Sequence, residues 1–129
     1  MDDRSSHVLT AYDRWAVVGW SPDPARDSHR IAAFLERIGK QVWRVNPNAP
    51  GEAYASVRDF DQPIEVVDVF RRSSEAGAHV DEAIALGAKA VWLQLGVIDE
   101  AAAERARAAG LEVVMDRCPA IEWPRLQRA

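Results

Sequence analysis

A single cysteine, Cys118, is all that this chain of 129 residues holds. It has no partner for an internal disulfide, so no covalent staple supports the fold, and the composition suits a reducing cytoplasm. A basic excess is absent too: 16 Lys and Arg face 20 Asp and Glu, for a net charge of −4. Phosphate backbones need a basic face, so nucleic acid is not expected as the main partner. A small anionic ligand is still allowed, because two or three local cations suffice for it. No apolar run approaches the length of a membrane span, and the acidic opening MDDRSSHVLTAYDRW lacks the apolar centre of a signal peptide. Neither a membrane nor an export route is therefore expected. His7, His29 and His79 are scattered without metal-ligand spacing, and no serine sits in a nucleophile elbow. No low-complexity tract, repeat or long linker divides the chain, which reads as one domain over residues 1–129.

What is present is apolar and short-ranged. Hydrophobic residues make up 48% of the chain, with five Trp, enough for a real core. Five short runs, apolar on both faces, read as buried parallel strands: Trp15–Gly19, Gln41–Val45, Val66–Phe70, Ala90–Leu95 and Glu112–Met115. Helical patterns separate them. Ile31, Phe34, Leu35 and Ile38 form one stripe, with Ser28 read as the cap and Gly39 as the stop. Ser73–Leu86 follows, with Ala76, Val80, Ala83 and Ile84 inward and Gly87 ending it. DEAAAERARAAG is the third helix, capped by Asp99 and stopped by Gly110. A weak helix is expected over 6–13, and a single helical turn near Ser56–Asp59 in an otherwise irregular stretch. Strands alternating with helices predict an α/β Rossmann-like three-layer sandwich with a five-stranded parallel sheet, order 3-2-1-4-5.

Ligands of such sheets lie beyond the carboxyl ends of the strands. The first of these ends carries VVGWSPDPARDSHR. Gly19 permits close approach to the backbone, Ser21 offers a hydroxyl, and the following helix start favours an anion, with Arg26 and Arg30 adding charge. The segment is either a phosphate cradle or a plain corner whose serines serve only the backbone; its position in the fold favours the cradle. The dinucleotide fingerprint is missing. One glycine stands where three are usual, and the second strand ends in Asn46-Pro47 where an NAD site places an acid. In VVDVF, Asp68 tempts comparison with a phosphoacceptor, but the first strand lacks the acids such a site needs. Asp68 is read as a hydrogen-bonded structural carboxylate, and Cys118 as a structural thiol. Phe70, Arg71 and Arg72 leave the third strand at its ligand end, where an aromatic ring and guanidinium groups suit a nucleotide.

The blocks VVGWSPDPARDSHRIAAFLERIGKQVWRVNP, VVDVFRR, EAIALGAKAVWLQLG and VVMDRCP occur in an order that resembles the small stand-alone CoA-binding proteins (YccU-like). The resemblance runs from Trp15 to Pro119. That family is similar to the CoA-binding domain of succinyl-CoA synthetase alpha subunits and of acyl-CoA synthetases. The resemblance implies non-catalytic binding of coenzyme A or an acyl-CoA. By position it puts Gly19, Ser21 and Pro22 around the pyrophosphate, with Arg26, Ser28 and Arg30 at the helix start. Val45, Asn46 and Pro47 would border the adenosine, Phe70, Arg71 and Arg72 the opposite wall, and Gln94, Leu95 and Gly96 the pantetheine or thiol. Trp20 and His29 depart from the family pattern, and the indole either narrows the turn or stacks on a ligand. The second domain of the synthetases, which carries their phosphorylated histidine, has no counterpart here, so their ligase reaction is not implied. A carrier, sensing or regulatory role, with an unidentified protein partner, is one expectation. An NAD(P)- or other nucleotide-dependent enzyme and an interaction subunit with a decayed pocket are the alternatives.

Overall fold

A computed structural model describes residues 4–128; residues 1–3 of the acidic opening and residue 129 lie outside it. Five strands, β1 (Arg14–Val18), β2 (Gln41–Val45), β3 (Val66–Val69), β4 (Ala90–Leu93) and β5 (Glu112–Met115), form one all-parallel sheet. Helices α1 (Ser5–Ala11), α2 (Asp27–Arg37) and α5 (Pro119–Arg128) cover one face; α3 (Ser73–Leu86) and α4 (Glu100–Ala108) cover the other. The α/β three-layer class is the one expected, as is the short turn in the irregular stretch, a 3₁₀ helix at Val57–Asp59. Helix α5 was not foreseen; Pro124 interrupts its pattern.

Alternation along each strand divides the core in two. Trp15, Val17, Val66, Ala90, Trp92 and Val114 face α1, α2 and α5, where they meet Val8, Leu9, Ile31 and Leu35. The neighbouring positions Ala16, Val18, Val67, Val69, Val91, Leu93 and Val113 face α3 and α4. The alanines of those two helices, Ala76, Ala83, Ala102, Ala103 and Ala106, are all fully buried and let backbone lie close to backbone. Trp15 and Trp92 pack at 5.7 Å between ring centroids, and each indole N–H finds a carbonyl at 2.9 Å, that of Tyr12 and of Arg117 respectively.

The strand order is 2-1-3-4-5, which corrects the expected 3-2-1-4-5: β3 lies between β1 and β4 instead of outside β2. Side-chain burial in the stretch between β2 and β3 accounts for this. Tyr54 bridges the outer side of β2, accepting from the Asn46 N–H and donating its own to the Arg44 carbonyl, both at 2.8 Å. Val57 and Ile64 then sink into the core on the α3 side, with Phe60 packed against it. They carry the chain back beneath β2 to the open side of β1, where a strand buried on both faces belongs.

The same burial isolates Asp68. It sits in the middle of β3, opposite Val17 and Trp92, fully buried, and neither carboxylate oxygen has a hydrogen-bond partner among the described residues. The hydrogen-bonded carboxylate expected from the sequence is therefore absent, and burial pushes the Asp68 pKa well above its ordinary value. The folded chain keeps this proton after the unfolded chain has lost it. Stability is thus undiminished below the ordinary carboxylate value near ~4 and falls as pH rises towards the raised folded value, by roughly 1.4 kcal/mol per pH unit. Urea melts from pH 5 to 8 will show this decline in the wild type and lack it in Asp68→Asn.

Candidate functional site

The observed order sets the site. Helix α2 leads the chain from β1 to β2 on one face, whereas α3 leaves β3 on the other. The loops after β1 and β3 therefore part in opposite directions, and the crevice between them is the switch point of the sheet. An open cleft of about 660 Å³ lies there. Of the residues expected from the sequence, Gly19, Ser21, Arg26, Ser28, Asn46, Phe70, Arg71 and Arg72 line it together. Ala25, Asp27 and Glu75 line it as well and were not foreseen. A smaller cavity of about 190 Å³ adjoins it, sharing Gly19, Asn46 and Arg71 and adding Val45 and Pro47 with His79 and Glu82 of α3.

Gly19 makes the close approach possible. Its φ is +87°, and a Cβ there would sit 2.5 Å from the Phe70 carbonyl oxygen. The amides of this turn do not face the cleft as donors. Gly19 and Trp20 both donate to the Val45 carbonyl, at 2.9 and 3.2 Å, and Ser21 donates to Ser28 Oγ at 3.0 Å. Ser28 is thus not the cap of α2. The helix begins at Asp27 after Arg26, and no side chain caps it. The first-turn N–H groups of α2, rather than those of the preceding turn, are the backbone donors available to an anion.

Cations and anions share the rim. Arg26, Arg71 and Arg72 line the cleft with Asp27 and Glu75. Asp27 is held by Arg30, which also donates to the Ala25 carbonyl at 2.6 Å; Arg30 itself does not line the cleft. Glu75 accepts from Arg71 at 2.7 Å and lies 3.3 Å from Arg72. The Arg71 hydrogen bond, with Arg72 close by, holds the Glu75 carboxyl below its usual range. The Arg71 Nε is buried without a hydrogen-bond partner, a donor left over on the cleft wall.

Trp20 does not plug this cleft. Its side chain is 5% exposed, stacks on His29 with centroids 5.6 Å apart, and carries the Arg44 guanidinium 5.6 Å above its ring. His29 Nδ1 lies 3.0 Å from the Ser21 carbonyl, so these two departures from the family pattern brace the turn from behind. Pro22 lines neither cavity, nor do Gln94, Leu95 and Gly96 at the end of β4. With β3 beside β1, the end of β4 is one strand further from the crevice than the expected order allowed. Glu75 was legible in principle: RRSSE puts it three and four residues after the two arginines, at a helix start. No cluster of potential metal ligands occurs among the described residues, and Cys118 is a half-buried free thiol packed against the core.

A parallel sheet whose switch point opens between an uncapped helix start and three arginines defines a Rossmann-like fold with an open, charged crevice at its strand ends. Residues 13–124 match the CoA binding domain family, and the chain belongs to that family. It is 35% identical over 115 residues to the uncharacterized protein YneT of Bacillus subtilis, covering 86% of this chain and 85% of that one. It superposes on a hypothetical protein of Pyrococcus horikoshii OT3 with TM-score 0.90 and 37% identity, over 98% of this chain and 93% of the other. A Thermus thermophilus protein, cell-free ID.343, gives TM-score 0.89 and 35% identity over 98% and 99%.

Two outcomes test this geometry. Gly19→Ala forces a methyl against the Phe70 carbonyl at a positive φ, and urea unfolding will show a loss of about 2 kcal/mol or more. Glu75→Gln frees the guanidinium groups of Arg71 and Arg72, and calorimetric titration with inorganic pyrophosphate will show roughly fivefold tighter binding.

Proposed function

We propose that this chain is a non-catalytic binding module for coenzyme A or an acyl-CoA, with the diphosphate seated at the start of α2. One observation carries the reading: the free first turn of α2 meets Arg26, Arg71 and Arg72 in the switch-point cleft. Membership of a CoA-binding family supports the choice of ligand. The diphosphate takes first-turn N–H groups and guanidinium groups, for which Glu75 acts as a stand-in until the ligand arrives. The smaller cavity, bounded by Val45, Asn46 and Pro47, suits the adenosine end. Asn46 is oriented for this by donating from its amide to the Trp20 carbonyl at 2.7 Å. The absence of an acid after β2 fits a ligand other than NAD, since Asn46-Pro47 offers nothing to a free ribose diol. The module would carry, sense or store the coenzyme, or present it to a protein partner.

Thermal unfolding with CoA, dephospho-CoA, NAD, NADP and ATP tests the ligand. CoA will stabilise the chain most, by about 2.7 kcal/mol at a hundred times its dissociation constant; a larger effect of NADP would overturn the reading. Arg26→Glu will weaken CoA binding about tenfold while leaving the melt of the free protein nearly unchanged, because Arg26 is exposed. Mass spectrometry of acetyl-CoA incubated with the protein will find the thioester intact; turnover would refute the non-catalytic half of the proposal.

A further inference from the structure

A second groove, of about 380 Å³, runs along the outer edge of β2, with Val42, Trp43 and Arg44 on one side and residues 51–54 on the other. None of these residues lines the cleft. β2 is the least buried of the five strands, and its outward peptide groups can be accounted for one by one. Gln41 N–H donates to the Asp13 carbonyl at 2.8 Å, and the Val45 carbonyl accepts from Gly19 at 2.9 Å. Residues 41, 43 and 45 therefore turn their peptide groups to β1, while Val42 and Arg44 turn theirs to the groove. The Arg44 carbonyl is taken by the Tyr54 N–H. The N–H and carbonyl of Val42 and the N–H of Arg44 have no partner among the described residues. Such groups on the edge of a sheet are ready for another strand.

Tyr54 demonstrates what fits them. It lies parallel to β2 for a single residue, opposite Val45, giving its N–H to the Arg44 carbonyl and taking the Asn46 N–H, both at 2.8 Å. The Val42 carbonyl and the Arg44 N–H repeat that pair of groups two residues earlier, across from Trp43. The chain's own backbone does not reach them. Glu52 and Ala53 turn away, their N–H groups going to the Ala49 carbonyl at 3.1 and 3.0 Å. A residue of another chain placed there puts its side chain on the same face as Trp43. On that face Phe60 meets Trp43 at 5.9 Å and Tyr54 at 4.9 Å between ring centroids, and Tyr54 is 45% exposed. An apolar or aromatic side chain gains from joining this cluster. Glu52 lines the far side of the groove, is exposed and makes no ion pair among the described residues, so a cation beside the apolar residue is favoured.

We infer that the outer edge of β2 binds an extended peptide segment of a protein partner, one in which an apolar or aromatic residue is flanked within two positions by lysine or arginine. Tyr54 closes the edge beyond Arg44, so the groove takes a segment of about three residues. NMR titration of the isotope-labelled chain with the blocked pentapeptide Lys-Val-Phe-Val-Lys tests this. Amide shifts will be largest at residues 42–44 and 52–54, and the Arg44 amide will exchange more slowly with solvent. Methylating the peptide's Phe nitrogen removes the donor meant for the Val42 carbonyl and will weaken binding about tenfold. Exchanging the peptide's lysines for glutamates will weaken binding roughly threefold, and Glu52→Lys, a surface change, will reverse that order. No binding up to millimolar peptide, shifts centred elsewhere, indifference to the methyl group, or a charge order that Glu52→Lys leaves unaltered would overturn the inference. So would an Arg44 amide already protected in the free chain together with a dimer in sedimentation, which would give the edge to a second copy. CoA binding in the cleft stands apart from all of these outcomes.

Discussion

β1 is flanked on both sides, and the rest of the molecule follows from that. Its hydrogen bonds run to β2 on one side and to β3 on the other, while the chain leaving it and the chain leaving β3 go to opposite faces of the sheet. The crevice is what remains between two segments that cannot pack on one another. Two helix starts are then brought to that opening by backbone geometry. The start of α2 arrives from one face and the start of α3 from the other, each with arginines at its threshold. At Gly19 the two segments come into close approach, and its missing side chain lets the floor of the crevice close.

Electrostatic balance at the rim is set by a competition internal to the protein. A chain with more acids than bases cannot leave three guanidinium groups unpaired in one place without cost. Glu75 occupies two of them, and its position in the first turn of α3 also suits the dipole of that helix. The pairs are partly exposed, so each contributes little to stability. Trp20, His29 and Arg44 form a stack behind the turn, with Arg44 in turn bound to Glu36 of α2 at 2.7 Å. The bulky indole therefore serves the shape of the turn without occupying the space in front of it.

The strands were legible because each is a short run apolar on both faces, a pattern with few other solutions in a chain of this size. Helices α2, α3 and α4 were legible from stripes and stops. Helix α5 was not, because Pro124 breaks its period, and the place of β3 was not, because strand order is decided by distant burial. Val57, Phe60 and Ile64 carry that information, and nothing local marks them as the residues that steer the chain under β2. The difference in order explains why Gln94, Leu95 and Gly96, expected at the crevice, stand one strand away from it. That the residues after β1, at the start of α2 and after β3 share one cleft was legible because a strand end followed by a helix start can be read from adjacent letters. Ser28 was misread as a cap because a serine at a helix start fits that role locally, and only the fold decides that its hydroxyl serves Ser21.

Tyr54, which occupies the outer side of β2 at its carboxyl end, has a meaning beyond routing the chain. An open parallel edge is a template on which a second sheet can grow, and in assemblies of many molecules that growth has no natural end. By returning one residue of its own loop to satisfy Arg44 and Asn46, the chain terminates the ladder beside the opening. Edge-to-edge polymerisation is thereby denied its easiest starting point on this side of the sheet.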